Sequence, residues 1–196
     1  KANYGTLNLQ QSTDVDFLKY EGPTDPTITG SIGNIFTYKN FRLNVFVTYS
    51  GGNKVRLDPM FRSSYSDLDA TPKDFKNRWV LPVDEKVTDI PVMASSFERN
   101  QYANLSIAYN SYNYSTARIA SGAFVRLKEV SLSYDFPKEW LKSTPISSVG
   151  LKIQGTNLAL LYADSKLNGQ DPEFFRSGGV SAPVPKQFTL TLKVGF

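Results

Sequence analysis

The stretch Gln187–Phe196, QFTLTLKVGF, alternates without a break, with Phe188, Leu190, Leu192, Val194 and Phe196 on one side and Gln187, Thr189, Thr191 and Lys193 on the other. Successive side chains of an extended strand point to opposite faces, so this segment is a strand with one oily and one wet side. The same period of two recurs upstream. Ile28–Tyr38 places Ile32, Phe36 and Tyr38 together, and Phe41–Tyr49 sets Phe41, Leu43, Val45, Val47 and Tyr49 against Arg42, Asn44 and Thr48. In Phe124–Phe136, Val130, Leu132, Tyr134 and Phe136 oppose Glu129, Ser131, Ser133 and Asp135; further on, Val149, Leu151 and Ile153 oppose Lys152, Gln154 and Thr156. The pattern predicts an all-β chain with five strands near 28–38, 41–50, 124–136, 148–158 and 187–196.

Half-buried strands of soluble antiparallel sheets alternate in this way, and so do strands that cross an outer membrane, which run to about 9–11 residues and carry aromatics at the two interfaces. No stretch approaches the roughly 18 apolar residues of a membrane helix, the longest apolar run being Leu158–Tyr162, so any passage through a bilayer is by strands. Barrel strands keep half their residues polar, and a mean hydropathy of -0.31 therefore does not discriminate.

The connections separate the two sheet types. They are two residues (Lys39 and Asn40), then about seventy, then about ten, then about twenty-five. Short and long alternate as in outer-membrane barrels, whose periplasmic turns are short and extracellular loops long. With the last strand ending on the periplasmic side, both long connections fall outside the cell. The two-residue turn predicts a hairpin with Asn40 in the left-handed conformation. Between Gly51 and about Ser121 no period persists, and Asp58-Pro59, Thr71-Pro72, Leu81-Pro82 and Ile90-Pro91 punctuate the chain, which marks a long functional loop. Lys1–Pro26 reads as loop with a short extended patch near Tyr4–Leu9, Pro137 opens one helical turn over Lys138–Lys142, and Ala163–Lys186 is a second Gly- and Pro-rich loop.

The chain has neither Cys nor His, which removes disulfides, thiolate and imidazole metal sites, and the usual general base. Its net charge of +4 is spread among Asp and Glu with no basic stripe, which speaks against nucleic-acid binding. DSKLNGQDPE (Asp164–Glu173) faintly suggests a calcium loop, but Lys166 stands where an oxygen ligand belongs. Asp84 with Glu85, or Asp171 with Glu173, are carboxylate pairs with nothing to set a glycosidase spacing. No catalytic residue, metal or cofactor is expected. The better candidates for ligand or partner contact are the loop residues Trp79, Tyr109, Tyr112, Tyr114, Phe174 and Phe175, with Asp171 and Glu173. Their rings can stack on sugars or peptide side chains, or simply pack the loops together.

The runs GPTDPTITGSIGNIFTYKNFRLNVFVTYSGGNKVRL (Gly22–Leu57), RWVLPVDEKVTDIPV (Arg78–Val92), ARIASGAFVRLKEVSLSYDFP (Ala117–Pro137), LKIQGTNLALLY (Leu151–Tyr162), and LNGQDPEF followed by PKQFTLTLKVGF resemble the C-terminal part of SusC/RagA-type TonB-dependent outer-membrane transporters. The resemblance implies the C-terminal part of a 22-stranded transmembrane β-barrel with long extracellular loops, in the bacterial outer membrane, importing oligosaccharides or peptides. Nothing in the chain looks like the plug domain, so it is expected to be a segment completed by the rest of the barrel and the plug. The implied partners are a SusD-type surface lipoprotein, the TonB complex through the N-terminal part, and the barrel-assembly machinery, for which Phe188, Leu190, Leu192, Val194 and Phe196 would form the recognised signal. The alternative is a secreted, soluble β-sandwich binding module. Two sheets would then bury Leu43, Val45, Val47, Val130, Leu132, Leu151, Ile153, Leu190 and Leu192, which meet lipid in a barrel.

Overall fold

A computed structural model of the chain describes residues 15–62, 68, 71–102, 104–175 and 183–196. The extended patch anticipated near Tyr4–Leu9 lies outside the described residues. The chain divides into two units, one of Lys1–Gly22 with Lys54–Ala120, the other of Pro23–Asn53 with Ser121–Phe196.

The second unit is one antiparallel sheet of five strands: β1 (Ile28–Tyr38), β2 (Phe41–Gly51), β5 (Phe124–Asp135), β6 (Ser148–Ala163) and β7 (Gln187–Gly195), adjacent in that order. The short strands β3 (Lys54–Arg56) and β4 (Ile119–Ser121) pair separately. Each strand of the large sheet neighbours the next in sequence, so β1 and β7 are its edges. Both short connections leave one end and both long ones the other.

Register carries the two-sidedness across all five strands. Phe36, Leu43, Leu132, Ile153 and Leu190 form one cross-strand row, and Tyr38, Phe41, Tyr134, Leu151 and Leu192 the next. On the opposite face the equivalent row is Thr37, Arg42, Ser133, Lys152 and Thr191. The apolar face is not a core. Among the described residues the buried apolar ones are Val55, Leu57, Met60, Phe61, Ile90, Ala94, Ala120 and Leu167, none of them in the five strands, while Ile32, Phe36, Leu190 and Leu192 are 67%, 56%, 68% and 64% exposed. A soluble sheet covers such a face with a second layer about 10 Å away.

Three details depart from expectation. In the hairpin it is Lys39, not Asn40, that takes the left-handed conformation, with φ 53°. Tyr38 pairs with Phe41, and a positive φ at the first central residue alone is the type II′ pattern. Asn40 instead serves the neighbouring strand, its Nδ2 donating to the Asp135 carbonyl at 2.6 Å and its carbonyl accepting from Asp135 N–H at 3.0 Å. β6 runs to Ala163, five residues past the expected end. Asn157 has φ 53°, and the β5–β6 register shifts between Leu127 and Glu129 and again between Val125 and Arg126. Bulges of this kind change the phase of alternation, which is why the pattern breaks while the strand continues.

The third departure is larger: the connection between β2 and β5 is folded. It carries helices α1 (Ser96–Gln101) and α2 (Leu105–Tyr114), 3-10 turns at Lys73–Asn77, Asp84–Lys86 and Thr116–Arg118, and a cluster of Met60, Phe61 and Ile90 with Phe75, Tyr109 and Tyr112 against it. The helices are short, and α2, LSIAYNSYNY, mixes Ser and Asn with Tyr, so no apolar stripe betrays it. Buried Asn113 is the pin. Its Oδ1 accepts from Met60 N–H at 2.9 Å and Phe61 N–H at 3.1 Å, and its Nδ2 donates to the Phe61 carbonyl at 2.8 Å.

Asn113→Ala strands two buried N–H groups and one carbonyl, each costing about 1–3 kcal/mol. The expected result is loss of protease resistance in residues 54–120 with the five-stranded sheet intact. Unchanged resistance would show that Asn113 holds nothing.

Candidate functional site

On the polar face of the sheet, Arg126 and Asp171 form a buried ion pair. The guanidinium Nη2 lies 2.6 Å from both Asp171 oxygens and 3.2 Å from Glu173 Oε2, with the Arg126 and Asp171 side chains 6% and 8% exposed. The pair ties the second long connection to β5. Asp164 acts on the same connection from its start: its carboxylate accepts from Ser121 N–H at 2.7 Å and Lys166 N–H at 3.0 Å, and Leu167 is buried behind it. Asp171 Oδ1 also accepts from Glu173 N–H at 3.1 Å. The acids of the DSKLNGQDPE run thus bond to backbone and Arg126, and no group of three or more metal-binding side chains occurs among the described residues. Phe174 and Phe175 are half-buried beside them.

The other acidic pair is likewise turned to the backbone. Asp84 Oδ2 accepts from Val80 N–H at 2.9 Å and Leu81 N–H at 2.8 Å, and Glu85 Oε2 from Val83 N–H at 2.8 Å. The Leu81 and Val80 amides hold the Asp84 carboxyl below its ordinary pKa. Together these bonds secure Val83 at φ 90°, a strained conformation for a β-branched residue.

The aromatic candidates separate by role. The Tyr109 hydroxyl donates to the Val92 carbonyl and accepts from Ala94 N–H, both at 2.7 Å, and its ring stacks on Phe61 at 4.5 Å. Tyr112 meets Phe61 edge-on at 5.6 Å, and burial pushes its phenol pKa up. Both are struts of the small core. Trp79 is half-buried, its indole N–H donating to the Thr88 carbonyl at 2.6 Å, and it lines an open cleft of about 470 Å³ with Arg78, Val80, Val92–Ser96, Glu98 and Arg99. Tyr114 is 63% exposed under Arg56, whose guanidinium lies 5.6 Å from the ring. In β7, Phe188, Leu190, Leu192 and Val194, with Phe196 just beyond it, are exposed along the apolar edge.

Sequence reasoning missed Arg126, because a lone Arg in an alternating strand carries no signal of its distant partner. It missed the cleft wall too, although Ser95-x-x-Glu98 is a capping-box pattern that would have started a helix there.

No family model matches the chain. It is 29% identical over 155 residues to TonB-dependent receptor P3 of Formosa agariphila, a match covering 79% of the chain and 14% of that protein. To TonB-dependent receptor P26 of the same organism it is 24% identical over 183 residues, covering 87% of the chain and 17% of the relative. The fold superposes on the RagAB peptide importer in its open-open state with a TM-score of 0.63 at 22% identity, covering 91% of this chain and 18% of that one. A second RagAB peptide transporter structure gives 0.61 at 21%, covering 90% and 18%. The chain is thus similar in sequence to TonB-dependent receptors and similar in fold to the RagAB importer. It spans less than a fifth of the length of the relatives it matches. The sequence relatives are TonB-dependent receptors, and the structural ones are a peptide importer.

Asp171→Asn removes the buried partner of Arg126 and is expected to loosen residues 164–175 by about 3 kcal/mol, the low end for a broken buried pair because Glu173 remains. Hydrogen exchange of that segment measures it. Replacing both members, Arg126→Met with Asp171→Leu, should restore most of the protection, and a double variant as loose as the single would refute a pair acting as a latch.

Proposed function

We propose that the chain supplies wall strands and extracellular loops to a TonB-dependent outer-membrane importer of oligosaccharides or peptides, and carries no catalysis. The observation that carries this is the uncovered apolar face. Aromatics flank it at both ends. At the short-turn end Phe41 and Tyr134 lie 4.6 Å apart, Tyr134 and Phe136 5.0 Å, and Phe136 and Trp140 6.1 Å; at the other end Tyr49 and Tyr162 both sit in register with Val125. Phe41 to Tyr49 is eight residue steps, about 27 Å along the strand and about 20 Å after a barrel strand's tilt, close to the apolar band of an outer-membrane barrel.

Five strands leave two edges, at β1 and β7, whose backbone groups cannot stay unpaired in hydrocarbon. The remaining strands of a 22-stranded barrel would pair them and surround the plug, which contacts the TonB complex. The long connections then face outward, towards a SusD-type surface lipoprotein and the incoming substrate, and the barrel-assembly machinery inserts the whole, with the apolar residues of β7 in its signal. A soluble β-sandwich would need a second sheet over Leu43, Val130, Ile153 and Leu190, and the exposure of the apolar face counts against it.

Leu192 and Thr191 are sequence neighbours on opposite faces. In the full-length transporter Leu192→Arg should lower the folded yield in membranes more than Thr191→Arg does. Equal tolerance of the two would overturn the lipid-facing assignment.

A further inference from the structure

On the importer reading above, the connection between β2 and β5 lies on the substrate side, and there we propose that the cleft between residues 78–80 and 92–99 is a subsite for a peptide bearing a carboxylate beside an aliphatic side chain.

Its walls are fixed before any ligand arrives. Trp79 is bonded twice to the far side of its own turn, N–H to the Ile90 carbonyl at 3.0 Å and indole to the Thr88 carbonyl. The opposite wall is held by the Tyr109 hydroxyl between Val92 and Ala94, and then by the reciprocal Ser95–Glu98 cap. A pre-formed cleft spares a ligand the cost of ordering it. Its volume, about 470 Å³, lies in the range of small-ligand sites.

The lining chooses among ligands. Beside the Trp79 ring stand Val80, Val92, Met93 and Ala94, an aliphatic surface rather than the successive flat rings on which sugars stack, and the indole N–H is already spent. At the rim, Arg78 and Arg99 face one carboxylate, Glu98, which is engaged by the Ser95 N–H at 2.8 Å and hydroxyl at 2.9 Å. The Arg78 guanidinium lies over the Phe75 ring at 4.8 Å and spends one N–H on the Phe75 carbonyl at 3.3 Å. It is oriented, and its remaining donors suit the two oxygens of a carboxylate.

The probes are N-acetyl-Leu-Glu and its neutral counterpart N-acetyl-Leu-Gln, titrated against purified full-length transporter. The acid should bind more tightly. Arg78→Met should weaken the acid by about tenfold or more and leave the amide unchanged, and Arg78→Lys should recover only part of the loss, since an ammonium offers no fork. Equal binding of the two probes, no effect of Arg78→Met, or displacement of the acid by a neutral oligosaccharide would overturn the subsite. Membrane insertion of the same protein is scored separately: insertion with failed discrimination refutes the cleft assignment alone, whereas failed insertion of the wild-type chain refutes the importer.

Discussion

Pairing of the backbone ladder is the constraint on which the rest of this structure depends. In a sheet whose side chains have a period of two, a one-residue slip would carry Leu43, Leu132, Ile153 and Leu190 to the polar face. The ladder is regular where such a slip would cost most: from the short turns through the middle of the sheet, β1 with β2 and β6 with β7 pair without interruption. Of the irregularities, Phe46/Val47 lies at the middle of β2, and Val125/Arg126 and Leu127/Glu129 lie towards the end of β5 from which the long connection departs. Bulges there bend the strands and aim side chains, and they leave the central apolar rows aligned.

The unit that interrupts the sheet is held on a different principle. Its core is small, and polar side chains with buried partners do much of the work that apolar area does elsewhere. Asn113 clamps three backbone groups of Met60 and Phe61, Tyr109 bridges Val92 and Ala94, and Arg118, 4% exposed, donates to the Asp58 carbonyl at 2.8 Å with Asp74 at 3.8 Å. Directional bonds of this kind specify one arrangement of a loop that contains little regular structure. The exposed surface of that loop, including Trp79 and the strained turn at Val83, can then be presented rigidly.

Several residues with the chemistry of a binding site are therefore struts. Asp171, an attractive hydrogen-bonding acid in sequence, is occupied by Arg126, and Asp84 and Asp164 cap turns. What remains available is fewer in number and better positioned: the Trp79 cleft with Arg78 at its rim, and Tyr114 on the surface beneath Arg56.

Alternation in five segments, the unequal connections and the absence of a long apolar run were enough to determine an antiparallel sheet with an oily face, because strand side-chain direction depends only on position parity. The Lys39 turn, the extension of β6 past Asn157 and the fold of residues 54–120 were not legible. Each rests on contacts between residues far apart in the chain: Asn40 with Asp135, Tyr162 with Val125 across the β5–β6 ladder, Asn113 with Phe61. Local period and propensity contain no term for such pairs. Only the tertiary structure decided which aromatics and acids are engaged and which face outward.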